Sequence, residues 1–300
     1  MRYLFIVLFL FFVGCASDKK NDLQSEEENN VKNLDKKTQL NITILLDLSD
    51  RIDSLKNPDK PEHYKRDIAI VQYIAKYFVQ DMENKGAYMA KGKMKIIFTP
   101  KPQDPNINIL AQKLSVDLST MDTKEKKEVH DNLETTFTSS LAKIYHETMK
   151  TRDWVGSDIW RFFKNDVKDY CIERDSNYSN ILVIISDGYI YHEQSKDNIK
   201  NRYAYILPNL FEQYNLRNNS NWESEIDKRD FGLISKRKDL DALKVLVLEV
   251  TPSQTNKNDE DIIKYVLNKW LKEMNVKYKA IYNTDLPQYT KQRIQDFLSQ

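Results

Sequence analysis

Two short apolar runs constrain this chain more than anything else in it. The first, Ile42-Thr43-Ile44-Leu45-Leu46, leads into Asp47-Leu48-Ser49-Asp50-Arg51. The second, Ile181-Leu182-Val183-Ile184-Ile185, leads into Ser186-Asp187-Gly188. Runs of five to eight apolar residues, rich in β-branched side chains and closed by turn residues, read as strands buried on both faces. Both deliver carboxylate and hydroxyl side chains at their C-terminal tips. In an open α/β sheet that edge is where ligands bind.

The intervening segments alternate in the same sense. Glu62 to Asn84 carries Ile68, Val71, Ile74, Ala75 and Phe78 at three- and four-residue steps, which predicts a helix, with Pro58 and Pro61 ahead of it. Lys93 to Thr99 predicts a strand closed by Pro100 and Pro102, and Ile107 to Leu118 a further strand at the sheet edge. Asp122 to Lys150 predicts a helix in which Asp122 and Glu125 form a capping box. Ser157 or Asp158 is expected to cap another helix, running to Cys171. After the second run come strand Lys244 to Val250, helix Asp259 to Met274, strand Val276 to Tyr282 and helix Leu286 to Leu298. Strands alternating with helices imply right-handed crossovers. The expected fold is α/β, a mostly parallel, doubly wound (Rossmann-like) sheet with helices on both faces. Residues 191–241 break the alternation. Some fifty residues are too many for a simple connection, so they read as a partly helical insertion. Its aromatic residues, Tyr203, Tyr205, Phe211, Tyr214 and Trp222, are expected to form a small core of their own.

The N-terminus speaks to location. Tyr3 to Val13 is an unbroken apolar run of eleven residues. A membrane span needs about 20, whereas a run of this length suits the apolar region of a secretory signal. Gly14-Cys15 follows at once, and the segment resembles a bacterial lipoprotein signal. The resemblance implies cleavage before Cys15, acylation of Cys15 and anchoring to a membrane of the bacterial cell envelope. Residues 16–40 are polar and charged without apolar periodicity, which reads as a disordered tether. The folded domain is then 41–300. With Cys15 lipidated, Cys171 has no partner for a disulfide and is expected to be buried and inert.

The chain holds 46 Lys and Arg against 45 Asp and Glu, and loses Arg2 with the signal. A balance of this kind offers no basic field for nucleic acid. Six glycines, none in a dinucleotide or phosphate-loop pattern, argue against nucleotide binding by those devices. The four histidines are scattered, with no zinc-hydrolase spacing. His192 follows the second acidic motif and is expected to be an ordinary loop residue.

Together, Asp47-x-Ser49, the loop Gly156-Ser157-Asp158 and Ser186-Asp187-Gly188 resemble the metal-ion-dependent adhesion site of von Willebrand factor A domains. The resemblance spans about residues 41–300. It implies a divalent ion, Mg²⁺ with Ca²⁺ or Mn²⁺ as alternatives, held by Asp47, Ser49, Ser157, Asp158 and Asp187 and completed by a carboxylate from a protein partner. Two positions depart from the pattern. Arg51 stands where a second Ser belongs, and the middle loop has no Thr, so Ser157 or Asp158 must substitute. Arg51 would repel an ion beside it, or replace the ion by pairing with Asp47 or Asp187. Asp50 adds negative charge close by. The expected function is a lipid-anchored, non-enzymatic binding protein with an envelope partner. The alternatives are a metal-free scaffold and a Mg²⁺-dependent phosphohydrolase. The phosphohydrolase would resemble the haloacid dehalogenase type, which needs a second Asp where this chain has Ser49.

Overall fold

The computed structural model describes residues 38–300 apart from 153, 155, 253–255 and 257. The expected lipidation site Cys15 and nearly all of the expected tether lie outside the described residues. Among the described residues no helix is long and apolar enough to cross a membrane.

The fold is α/β. In chain order the elements are β1 (Gln39–Leu46), α1 (His63–Met89), β2 (Lys93–Phe98), α2 (Pro105–Gln112), β3 (Ser115–Asp117) and α3 (Thr123–Thr151). A helical run in three pieces follows, Ile159–Arg161, Phe162–Asp166 and Val167–Cys171, together α4, its middle piece of π type. Then come β4 (Tyr178–Ile185), β5 (Asn198–Ile199), β6 (Arg202–Tyr203), α5 (Pro208–Gln213), α6 (Trp222–Lys228) and β7 (Gly232–Leu233). The chain ends with β8 (Leu243–Val250), α7 (Asp259–Glu273), β9 (Tyr278–Asn283) and α8 (Pro287–Leu298). The six-stranded sheet has the order β3-β2-β1-β4-β8-β9, parallel except for the short antiparallel edge strand β3.

Strand alternation sorts the core into two layers. On β1, Leu40, Ile42, Ile44 and Leu46 join one apolar cluster with α1, α3 and α8, while Leu45 joins the other with α4 and α7. On β4, Ile181, Val183 and Ile185 go to the first cluster, and Leu182 and Ile184 to the second. This two-sided burial is why these segments read as unbroken apolar runs. Two polar residues of β1, Asn41 and Thr43, are used at the α4 layer. Asn41 donates to the Cys171 carbonyl (3.0 Å) and to Asn180 (2.8 Å), and Thr43 donates to the Tyr170 carbonyl (3.1 Å). Cys171 is buried, and burial pushes its thiol up to about 12, so it stays a thiol.

Two local expectations are corrected. Of the edge strand expected over Ile107 to Leu118, only Ser115–Asp117 is strand, at the sheet edge, and Pro105–Gln112 is helical: Asp104 accepts from Asn106 N as N-cap and Pro105 opens the first turn. The alternating Ile107 and Ile109 imitate a strand, but the cap and Pro105 decide. Asp158 is the N-cap residue of α4 as expected, but its side chain makes no capping hydrogen bond and its carboxylate accepts from Arg161 and Ser195 instead. The capping box of α3, by contrast, is complete, with Asp122 and Glu125 each accepting the other's backbone N–H at 2.8 Å.

Between β4 and β8, strands β5, β6 and β7 form a small separate sheet flanked by α5 and α6. Its aromatic side chains do not make an isolated core. Tyr203, Phe211, Tyr214 and Phe231 belong to the same cluster as Trp270 of α7 and Leu182 of β4. Trp160 and Trp270 both donate to the Ile234 carbonyl, at 3.0 and 3.1 Å, fastening the end of this segment to the main body.

Candidate functional site

The strand order reverses between β1 and β4. β2 and β3 lie outward from β1, and β8 and β9 outward from β4. This is the topological switch point, where the loops leaving adjacent strands diverge and open a crevice. Leu46 is paired with Ile185 in parallel register, so Asp47 and the Ser186-Asp187 pair emerge side by side at the same end of the sheet. Asp47 N donates to the Ile185 carbonyl (3.2 Å). The Asp47 carboxylate accepts from Ser49 N (2.8 Å) on one oxygen and from the Ser186 hydroxyl (2.8 Å) on the other. The Asp187 carboxylate accepts from Tyr189 N (3.0 Å). Gly188 follows at φ +90, where a Cβ would stand 2.5 Å from Ile263 Cγ2, so the turn and the close packing on α7 both require glycine.

Asp47 is buried, whereas Ser49 and Asp187 are half-buried and Asp50 is exposed. Burial, and then the neighbouring Asp47 charge, raise Asp187 to about 7, with Arg51 opposing. A second carboxylate at the adjacent strand tip disfavours the ionised form of Asp187.

Arg51 does not pair with the carboxylate of Asp47 or Asp187. Its side chain runs inward, buried, and meets Asp67 of α1 (Nη2 to Oδ2, 2.5 Å), which also accepts from the Tyr145 hydroxyl of α3 (2.6 Å). Arg51 Nε donates to the Asp47 carbonyl (3.3 Å) and Nη2 reaches the Ile185 carbonyl (3.4 Å). The guanidinium thus ties the tips of β1 and β4 to the helix layer behind them. Burial works against its charge, but Asp67, and more weakly Tyr145, Asp47 and Asp187, hold it firmly protonated.

A second ring of ionisable groups surrounds this pair. Glu249 sits at an irregularity in β8, between Val247 and Val250, with φ +69. A left-handed, buried glutamate at a strand end is the kind of local strain found beside functional sites. Burial first, and then Asp67, push Glu249 up to about 7, while Arg66, whose Nη1 lies 3.8 Å from Glu249 Oε2, and Arg51 oppose. His63 is buried and lowered to about 4 by burial and by Arg51 and Arg66, so it is neutral near pH 7. Asp67, Tyr145, Arg66, His63 and Glu249 were not among the expected site residues. A lone glutamate inside the apolar run Lys244 to Val250 was the one visible signal among them.

The middle loop makes a second group. Ser157 N donates to the Tyr191 carbonyl (2.8 Å), and Asp158 N donates to the Thr99 carbonyl (3.2 Å). Asp158 Oδ2 accepts from Arg161 Nε and from the Ser195 hydroxyl, each at 2.8 Å, with His192 Nδ1 at 3.4 Å. His192 lies in the loop after β4, with its ring against the buried Asp158. Among the described residues neither Ser157 nor Asp158 hydrogen-bonds to Asp47, Ser49 or Asp187. Asp158 and Asp50 instead line one cleft of about 800 Å³. Ser157 Oγ and Asp158 Oδ1 are buried without a hydrogen-bond partner.

The pH dependence of Asp187 follows from its position. Its folded-state pKa, about 7, lies above the ordinary 3.8. The folded state therefore holds the proton more tightly than the unfolded chain. The stability this contributes is complete below about pH 4 and is lost as pH rises through about 7. Glu249 acts in the same direction, and His63, depressed when folded, acts in the opposite one. Asp187→Asn isolates the first effect. The stability of the variant relative to wild type is expected to rise between about pH 5 and pH 8 in chelator-treated buffer. Urea unfolding at both values checks it, and a constant difference would show that Asp187 does not titrate in this range.

No family model, curated protein or solved structure matches this chain.

Proposed function

We propose that the chain is a non-enzymatic binding protein of the bacterial cell envelope, held to a membrane through lipid on Cys15. It engages a protein partner through a divalent ion, Mg²⁺ first, at the tips of β1 and β4. The observation that carries this reading is the direction of Arg51. Its guanidinium is engaged by Asp67 inside the fold, and the half-buried Asp187 and Ser49 keep hard oxygen donors at the strand tips. Asp47, Ser49 and Asp187 would hold the ion, and Ser157, whose buried Oγ has no partner, offers a further hydroxyl. Among the described residues no three His, Cys, Asp or Glu side chains stand together as a metal-ligand group. An ion here therefore rests on few carboxylates, with hydroxyls and water, a coordination that Mg²⁺ accepts. It would also hold Asp187 ionised and flatten the pH slope described above.

The metal-free scaffold is the second reading, and Arg51 favours it in one respect. A buried cation already compensates Asp47, Asp67 and Asp187. One set of experiments separates the two. With ion binding, calorimetry gives a saturable Mg²⁺ signal that Asp187→Asn abolishes. The melting temperature rises with Mg²⁺, by the equivalent of about 2.7 kcal/mol when the ion is at a hundred times its dissociation constant. A partner captured from detergent-solubilised envelope is released by EDTA, and Cys15→Ser moves the protein out of the membrane pellet. Wild type unmoved by Mg²⁺, Mn²⁺ and Ca²⁺, with EDTA-resistant capture, establishes the scaffold. Wild-type pelleting by Cys15→Ser removes the lipid anchor from the reading.

A further inference from the structure

The cleft beside Asp158 is lined by none of Asp47, Ser49 and Asp187, and it is built. Three chain segments meet at its floor. The loop around Gly156 is joined to the segment after β4 by the Ser157 to Tyr191 backbone pairing, and to the end of β2 by Asp158 N donating to the Thr99 carbonyl. Gly156 has φ +82, and a Cβ there would stand 2.3 Å from the Tyr191 carbonyl oxygen. Only glycine lets these two walls approach so closely. The cleft is therefore set by backbone contacts, and its volume of about 800 Å³ falls in the usual range for small-ligand sites.

Its chemistry is balanced. The cations Lys56, Lys101 and Arg161 face the carboxylates of Asp50, Asp158 and Glu193. Most are already engaged: Lys56 with Asp50 (2.7 Å), Arg161 with Asp158 (2.8 Å), and Glu193 with the Tyr191 hydroxyl. No net field is left to select a charged ligand. What remains is a mixture of donors and acceptors around an aromatic plane. The half-buried Trp154 lines one side, and the amides of Gln103 and Gln194 stand at the rim. At the floor, Asp158 is 1% exposed and its Oδ1 has no hydrogen-bond partner. A buried carboxylate oxygen without a donor is uncommon in folded proteins.

We infer that this cleft binds a neutral, polyhydroxylated ligand, an oligosaccharide. A sugar hydroxyl both donates and accepts, which suits a lining of paired charges and amides. The apolar face of a pyranose ring covers an indole without desolvating a charge.

The test uses the protein in EDTA, so that its outcome does not depend on the ion site. Maltotriose, cellotriose, chitotriose and, as a charged comparator, triglutamate are titrated while tryptophan fluorescence and calorimetric heat are followed. At least one trisaccharide is expected to saturate at millimolar concentration or below. Trp154→Ala should weaken it by about tenfold or more, and Tyr88→Ala, at an exposed site on α1, should leave it unchanged. Gln194→Ala, at an exposed rim position, serves if Trp154→Ala lowers the melting temperature. Saturation by triglutamate alone, no saturation by any sugar, or wild-type affinity in a correctly folded cleft variant would overturn the inference.

Discussion

Arg51→Ala is expected to destabilise the domain by about 3–5 kcal/mol, the usual consequence of removing one partner from a buried ion pair. The guanidinium is within hydrogen-bond distance of Asp67, of the Asp47 carbonyl and of the Ile185 carbonyl. Without it, the fully buried Asp67 carboxylate keeps only the Tyr145 hydroxyl, and two strand-end carbonyls lose a donor. The companion variant Asp67→Leu should be similarly damaging, because it leaves the cation uncompensated. Arg51→Met with Asp67→Leu should recover most of the loss, since an apolar pair of similar volume avoids the desolvation that both ions suffer. Urea unfolding of the two single variants and the double variant measures the coupling directly. Additive losses would show that the pair does not act as a unit. Divalent ion should also return part of the stability of Arg51→Ala if an ion can settle between Asp47 and Asp187. Without that recovery, Arg51 supplies all the positive charge this edge can accept.

Trp270→Ala is expected to cost about 3–5 kcal/mol, the range for deleting a large buried aromatic side chain. Trp270 lies on the inner face of α7 and is among the largest fully buried side chains. Its ring packs against Phe163 with centroids 4.7 Å apart, and its Nε1 donates to the Ile234 carbonyl beside Trp160. The loss therefore combines a cavity with a weakened attachment of the segment between β4 and β8. Trp270→Phe should recover much of the packing but not the hydrogen bond, leaving a deficit of about 1 kcal/mol or more from the smaller ring. If Trp270→Ala lowered the urea midpoint no further than an exposed substitution such as Tyr88→Ala, the two layers would not be joined here as described. Susceptibility of residues 191–241 to proteolysis should rise in the alanine variant, because the anchoring carbonyl of Ile234 would keep one indole donor instead of two.

The two findings bear on each other through the sheet. Arg51 acts at the layer of α1 and α3, and Trp270 at the layer of α4 and α7. Between them run β1 and β4, whose tips carry Asp47 and Asp187. A cluster of ionisable groups of this density, with Asp187 and Glu249 both raised to about 7, is held in place only because both layers are closely packed. Perturbed carboxylates at a crevice mark candidate functional sites. Here they coincide with the position that sheet topology alone would choose.

The amino-acid sequence by itself determined the framework. β1 and β4 are legible because burial on both faces demands continuous apolar runs. α3 is legible because Asp122 and Glu125 satisfy each other's backbone locally, and the placement of Asp47 and Asp187 follows once both strands are parallel neighbours. These are short-range signals, or consequences of alternation. Only the tertiary structure decided what each charge does. Arg51 could be read against Asp47 or Asp187, which are near it in the motif, but its partner is Asp67, brought behind β1 by the packing of α1 and completed by Tyr145 of α3. Asp158 reads as a helix cap, yet its carboxylate is taken by Arg161 and Ser195 and forms the floor of a cleft whose third wall comes from β2. Glu249 is visible as an odd residue in a strand, but its left-handed conformation and its approach to Arg66 appear only when the end of β8 departs from regular pairing with β9. In each case the deciding contact joins residues on different elements. Hydrophobic periodicity records which face of an element is buried, and carries no information about which buried charge lies opposite.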